Sequence, residues 1–221
     1  MAPTILGRGW QARIELVLDQ VQEETAAVFA PERLAAPIDA LCSLLDLLVS
    51  WNRRVDLTAA RDADELVDLY LADSVVLAKH ANSMAAARNW TDVGSGAGAP
   101  ALGMALLAPR VELTMVEPRA KRVAFLRTAL ATVNRTDWRV ERARSEQLSP
   151  RSCDVALSRA TVAPARWLPE GARLARQGVW VLLGRGEPPT LAGWQLKHDV
   201  RYAWPLTRTQ RRAVYFVRVV D

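Results

Sequence analysis

From Trp90 onward, short apolar runs alternate with stretches of helical spacing, and the first strand-to-helix junction carries three glycines at alternating positions. No other feature constrains the fold as much. Strand–helix–strand units bury their apolar faces by forming a parallel sheet covered by helices. Trp90–Val93 reads as a strand ending at Gly94, and a helix follows the glycines to about Leu107. Val111–Val116 alternates as the next strand, Pro118–Val133 is a helix, and Trp138–Val140 and Cys153–Leu157 are further strands. Ala163–Ala175 reads as a helix leading into a strand at Val179–Leu183. The last two strands fall at Val200–Trp204 and Ala213–Val219, and without helical spacing between them they pair antiparallel. The expected fold is α/β, a doubly wound, Rossmann-like sheet with an antiparallel last strand.

The first 80 residues follow another pattern. Ile14, Leu16, Val17, Leu18 and Val21 recur at helical spacing between about Gln11 and Phe29, and Pro31 closes the stretch. A second helix runs from Pro37 through Leu41, Leu44, Leu45 and Leu48 to Trp51, and a third from Asp62 to Lys79. The expected organisation is a helical portion over 1–80 packed on a core over 81–221. Half of the residues are hydrophobic and 24% are charged, which argues against disorder. The net charge of +5 favours a polyanionic partner mildly. Of the 29 basic residues 26 are Arg, the side chain that grips phosphate bidentately, although a GC-rich genome also yields Arg and Ala in excess. Two cysteines (Cys42, Cys153) and two histidines (His80, His198) make neither a disulfide framework nor a usual zinc set. No metal is expected, and a reducing cytoplasm is the expected setting. The N-terminus lacks the apolar core of a signal peptide, and no apolar run nears the roughly 20 residues of a membrane span.

The candidate chemistry starts at Asp92-Val93-Gly94-Ser95-Gly96-Ala97-Gly98-Ala99-Pro100. Alternating glycines let the backbone turn sharply and approach a ligand closely, and the following helix offers free N–H groups. Glu117 ends the next strand, where a carboxylate can accept both hydroxyls of a ribose. Dinucleotide sites use G-x-G-x-x-G around a pyrophosphate. Here the spacing is G-x-G-x-G with Asp92 two positions ahead, which suits a cationic ligand without a pyrophosphate. S-adenosylmethionine (AdoMet), carrying a sulfonium and an ammonium, meets both demands. An NAD-dependent dehydrogenase fits poorly, because no motif holds an acid or His to partner a hydride.

Beyond this loop the chain resembles the bacterial RsmG (GidB) family, the methyltransferases of guanine N7 in small-subunit (16S) ribosomal RNA. The carriers are Trp51-Asn52, Leu57-Thr58-Ala59, Arg61-Asp62, Asp73-Ser74, the glycine loop, Glu117 with Lys121-Arg122 and Phe125-Leu126, Arg144-Ser145-Glu146 and Ser158-Arg159-Ala160. The resemblance implies a class I AdoMet-dependent methyltransferase that acts on ribosomal RNA or the small ribosomal subunit; we expect a monomer. It places the cofactor on Asp92, Gly94, Ser95, Gly96, Gly98 and Ala99, its ribose on Glu117, and its adenine beside Ser145 and Glu146. Arg159 faces both cofactor and acceptor and is the expected catalytic residue. Its plain alternative is a surface ion pair.

RNA would be gripped by Arg53, Arg54, Arg61 and Arg185, with Arg166 and the Arg208/Arg211/Arg212 cluster as further candidates. Lys121 and Arg122 read equally as solvated charges or RNA contacts, and Trp51 as a packing residue or a stacking platform. Four positions depart from the family pattern: Asp56 for Asn, Tyr70 for His, Leu183 for the Lys of Leu-Lys-Gly, and Ala101 for Gly. The first three are expected near the acceptor. They leave open another RNA, a small molecule, or a non-catalytic RNA-binding relative.

Overall fold

The computed structural model describes residues 3–25, 29–30, 33–84, 86–135 and 137–219. Three helices come first: α1 (Gln11–Thr25), α2 (Ala35–Asn52) and α3 (Ala63–Ser83). Then β1 (Asn89–Val93), α4 (Ala101–Leu107), β2 (Glu112–Val116), α5 (Ala120–Thr132) and β3 (Arg139–Glu141) alternate. They are followed by β4 (Cys153–Ser158), α6 (Pro164–Leu174), β5 (Ala175–Leu183), β6 (Trp194–Ala203) and β7 (Gln210–Arg218). Each expected strand and helix is present. The end expected for the first helix falls partly on residues 26–28, outside the described residues.

The seven strands lie in the order β3-β2-β1-β4-β5-β7-β6. β1 pairs in parallel with β2 and β4, β2 with β3, and β4 with β5, whereas β7 pairs antiparallel with both β5 and β6. The near-continuous burial of β1 and β4 follows from this order, since central parallel strands are covered on both faces. The chain reverses its winding between β1 and β4, and in open α/β sheets the crevice at that point is where ligands bind. Two of the expected strands were too short: β5 begins at Ala175 and β6 at Trp194. Gly178 and the charged face of β6 mask the period there; pairing with β4 and β7 extends β5, and pairing with β7 extends β6.

The helical portion belongs to the same core. α3 is N-capped by Asp62, whose side chain accepts from the Glu65 amide at 2.8 Å. From Leu66 to Ala81 it is buried almost throughout, and α1, α2, the sheet and α4 share one cluster with it. Asp68, Asp73 and Ser74 lie in this buried stretch and each has its own partner, as burial demands, whereas the Tyr70 hydroxyl and His80 Nε2 have no hydrogen-bond partner among the described residues. Asp68 accepts from the Leu206 and Thr207 amides and the Thr207 hydroxyl, at 3.2, 2.7 and 2.8 Å. Asp73 reaches the C-terminal hairpin and Arg159. The Ser74 hydroxyl lies 2.7 Å from the Tyr70 carbonyl and 2.8 Å from that of Pro100. Trp51 packs edge-on against Phe125 with centroids 5.7 Å apart, which settles it as a packing residue between α2 and α5. Among the described residues no helix is long and apolar enough to cross a membrane.

α3 and α4 meet through Gly103, where an added Cβ would lie 2.5 Å from Ser74 Oγ and 3.2 Å from the Tyr70 carbonyl oxygen. In an open helix Gly→Ala stabilises by roughly 0.5–1 kcal/mol. Here Gly103→Ala is expected to destabilise by about 1–3 kcal/mol, the cost of overpacking. Urea unfolding of the two proteins gives the sign.

Candidate active site

β1 delivers the chain to a turn in which Gly94, Gly96 and Gly98 hold φ of 73°, 55° and 80°. A Cβ on Gly94 would collide with the Thr161 side chain, and one on Gly98 with Leu102. Both conformation and space therefore demand glycine at these two positions. The loop is tied to the neighbouring strand: the Gly94 and Ser95 amides donate to the Val116 carbonyl at 2.8 and 3.2 Å. At the end of β2, Glu117 is buried and oriented by two amides. Its Oε2 accepts from Gly96 at 3.0 Å and its Oε1 from Arg119 at 2.9 Å. Each oxygen keeps a lone pair for a further donor.

Behind the loop Asp92 is 1% exposed, and its Oδ2 has no hydrogen-bond partner among the described residues. Burial pushes its carboxyl up to about 7; Ser95 and Arg159 pull it down and Glu117 raises it further. A buried carboxyl with an unpartnered oxygen is costly unless it is protonated or a cationic group answers it.

A cavity of about 500 Å³ opens over the loop, between Glu117, Arg122, Arg159, Thr161 and the Leu57–Ala59 segment. That last wall comes from the helical portion. Asn52 shapes it, accepting from the Leu57 and Thr58 amides at 2.9 and 3.0 Å and donating to the Thr58 carbonyl at 3.2 Å. Arg122 clamps it by donating to the Asp56 carbonyl through Nε and Nη2, at 3.2 and 2.9 Å. Of the ambiguous basic pair, Arg122 is thus an internal clamp and Lys121 an exposed charge. The cradle that excludes a Cβ at Gly94, the lone pairs of Glu117 and the orphaned Asp92 fit AdoMet's small methionine end, ribose hydroxyls and positive charges.

A second cavity, of about 410 Å³, shares Leu69, Arg159 and Ala160 with the first. Leu183, Arg185, Tyr202, Trp204 and Arg211 complete it. Arg159 stands where the two meet: its Nη1 donates to the Leu69 carbonyl and to Asp73 Oδ2. Among the described residues no bond engages its Nη2. Another cavity, about 630 Å³ beside residues 187–192, shares no residue with the glycine loop; position at the sheet's switch point selects the site.

Of the expected residues, Gly94, Ser95, Gly96, Ala99, Glu117 and Arg159 line the first cavity. Asp92 and Gly98 support it from behind. Ser145 and Glu146 sit on a 3₁₀ turn after β3, outside the lining, with the Ser145 carbonyl accepting from Arg173. Arg185 lines the second cavity, but Arg53, Arg54 and Arg61 are exposed at and beyond the end of α2, and Arg61 pairs with Glu65 at 3.0 Å. Arg166 is exposed on α6. The C-terminal arginines diverge: Arg212 is held by Asp199 and Glu187, whereas Arg211 stacks over Trp204, its guanidinium carbon 3.9 Å from the ring centroid.

The departures divide as well. Leu183 lines the second cavity, but Asp56 is exposed with its carbonyl engaged by Arg122, and Tyr70 lies in the core lining neither cavity. Burial raises the Tyr70 hydroxyl pKa, and that hydroxyl has no partner among the described residues. Sequence reasoning missed Asp73 as a site residue, and Tyr202, Trp204 and Thr161 altogether. Asp73 was visible within the Asp-Ser pair; the others carry no local signal.

Comparison with known proteins agrees with this geometry. Residues 38–191 match the family model GidB, described as rRNA small subunit methyltransferase G. A ribosomal RNA small subunit methyltransferase G from Halorhodospira halophila is 37% identical over 65% of this chain and 71% of its own length. Those of Neisseria gonorrhoeae and Anaeromyxobacter dehalogenans are 32% and 36% identical, covering 79% and 70% of this chain and 83% and 75% of theirs. In fold, the chain is similar to magnesium protoporphyrin IX methyltransferase from Synechocystis, solved with bound SAM. The TM-score is 0.55 at 13% identity over 77% of this chain and 90% of that one. With the family model spanning most of the chain and the glycine loop, Glu117 and Arg159 converging on one crevice, this protein belongs to the GidB family of AdoMet-dependent methyltransferases.

Proposed function

We propose that this chain methylates N7 of a guanine in small-subunit (16S) ribosomal RNA, acting in the cytoplasm as a monomer. The observation that carries the reading is the position of Arg159, in the wall common to the glycine-loop cavity and a second cavity open to an acceptor. Glu117 holds the ribose of AdoMet, and Gly94, Ser95, Gly96 and Ala99 its methionine end, with Asp92 and Gly98 behind them. The turn bearing Ser145 and Glu146 supplies the adenine side. When bound, the cofactor provides a methyl group activated by its sulfonium.

The remaining work is positional. Guanine N7 presents a lone pair, so no proton must leave before attack and no general base is required. Arg159, with Nη1 spent on Leu69 and Asp73, offers its remaining N–H groups to the acceptor base. Holding the reacting atoms in a near-attack pose is worth up to roughly 7–11 kcal/mol in well-oriented systems. Arg53, Arg54, Arg61 and Arg185 contact RNA phosphates, each adding about −0.7 to −0.9 to the slope of log affinity against log salt. Residues 1–80 act as the wall that closes the cofactor cavity, and 81–221 as the binding core. A second reading, with another RNA or a small molecule as acceptor, draws on Leu183, which puts an apolar side chain where the family pattern has Lys.

Three measurements test these assignments. Labelled methyl from AdoMet is expected on a single guanine of small subunits from a strain lacking this gene, located by cleavage at N7-methylguanine. No label beside intact cofactor binding would move the assignment to the second reading.

Glu117→Ala is expected to raise the cofactor Kd by at least about 100-fold, the loss of two hydrogen bonds to a charged group. Arg159→Ala should lower kcat about 100-fold with little change in that Kd. Calorimetry and single-turnover rates separate the two effects.

Asp92 gives a pH signature. Its folded pKa, about 7, lies above its ordinary value of 3.8, so its contribution to stability is complete below 3.8, falls as pH rises from there and is lost above 7. Asp92→Asn is therefore expected to melt above wild type at pH 8 and by a clearly smaller margin at pH 5, while binding cofactor more weakly. Melting curves across that range decide it.

A further inference from the structure

Asp73 lies in the middle of α3, a helix of the N-terminal portion, yet each of its three side-chain partners comes from the far half of the chain. Its Oδ1 accepts from the Tyr202 hydroxyl at 2.7 Å and from the Trp204 indole Nε1 at 2.9 Å, and its Oδ2 from Arg159 Nη1 at 3.2 Å. The carboxylate is 1% exposed, and all four side chains border the second cavity. Tyr202 and Trp204 form one wall of that cavity and Arg159 another, so a single buried anion sets the distance between them.

A buried ion pair is weak evidence for stability, because desolvation offsets most of the attraction, but it is an effective means of orientation. The geometry points to Asp73 as a positioning residue for methyl transfer. Through Nη1 it fixes the guanidinium that faces the acceptor, and through Oδ1 it fixes the aromatic wall opposite, defining a slot for a planar purine base. The inference rests on the proposed function and deepens it. Without the anion, the Arg159 guanidinium keeps only the Leu69 carbonyl and is free to swing toward solvent. A cofactor held by Glu117 and the glycine loop is unaffected, since Asp73 lines only the second cavity.

The test is a double-mutant cycle read in kcat, RNA KM and AdoMet Kd, with unmethylated small subunits as acceptor. Asp73→Asn keeps the size of the side chain and removes its charge. It is expected to lower kcat at least 10-fold with the AdoMet Kd within 2-fold of wild type, and to cost less than 3-fold further in an Arg159→Ala background. Tyr202→Phe, which removes one hydroxyl and leaves the Asp73–Arg159 pair intact, covers the case in which Asp73→Asn does not fold. It is expected to lower kcat by less than 5-fold and to raise the RNA KM. Additive losses for Asp73→Asn and Arg159→Ala would overturn the inference. So would a Tyr202→Phe protein with wild-type KM and kcat, or a change in AdoMet Kd matching that in kcat. A wild-type protein that binds AdoMet and labels no RNA removes the proposed acceptor instead, and this inference with it.

Discussion

Burying α3 requires that its acids be answered, and the answers build the molecule. Asp68 and Asp73 sit in an otherwise apolar environment, where an unpaired carboxylate costs several kcal/mol or neutralises. Asp68 draws the turn between β6 and β7 onto the helix, and Asp73 draws in the hairpin's Tyr202 and Trp204 together with Arg159. Ser74, one residue on, reaches the Pro100 carbonyl at the end of the glycine loop. One helix thus connects the C-terminal hairpin, Arg159 between the two cavities and the glycine loop. The N-terminal portion is part of the site for this reason, and not an appendage to the sheet.

The cofactor side is governed by backbone geometry instead. Three positive-φ glycines let the chain double back from β1, and amides of the loop are consumed by Val116 and Glu117. Glu117 is therefore oriented before any ligand arrives, which reduces the ordering cost of binding. Asp92 is the exception: it is buried, one of its oxygens is unpartnered among the described residues, and burial raises it toward neutrality. Residues that stabilise a fold seldom look like this, whereas functional sites often do.

Legibility of the site followed from how local its chemistry is. The glycine loop, the strand-end Glu117 and the alternation of strands and helices are short-range patterns, readable because turn sterics and sheet packing act over a few residues. Lys121 and Arg122, adjacent and alike in sequence, could not be separated. Only the fold brings the Asp56 carbonyl to Arg122 and leaves Lys121 in solvent. The arginines at 208, 211 and 212 were likewise one cluster on paper. In space Arg212 is consumed by two acids and Arg211 lies on an indole at the cavity wall.

The sequence by itself determined the doubly wound sheet, the place of the cofactor loop within it and the family, because periodicity and turn chemistry are properties of contiguous residues. Tertiary structure alone decided how the second cavity is assembled. Asp73, Arg159, Tyr202 and Trp204 are separated by up to 131 residues, and no local pattern marks them as partners. They meet because α3 packs against the end of a sheet whose last hairpin folds back over it. A buried carboxylate there selects whichever donors the topology brings within reach.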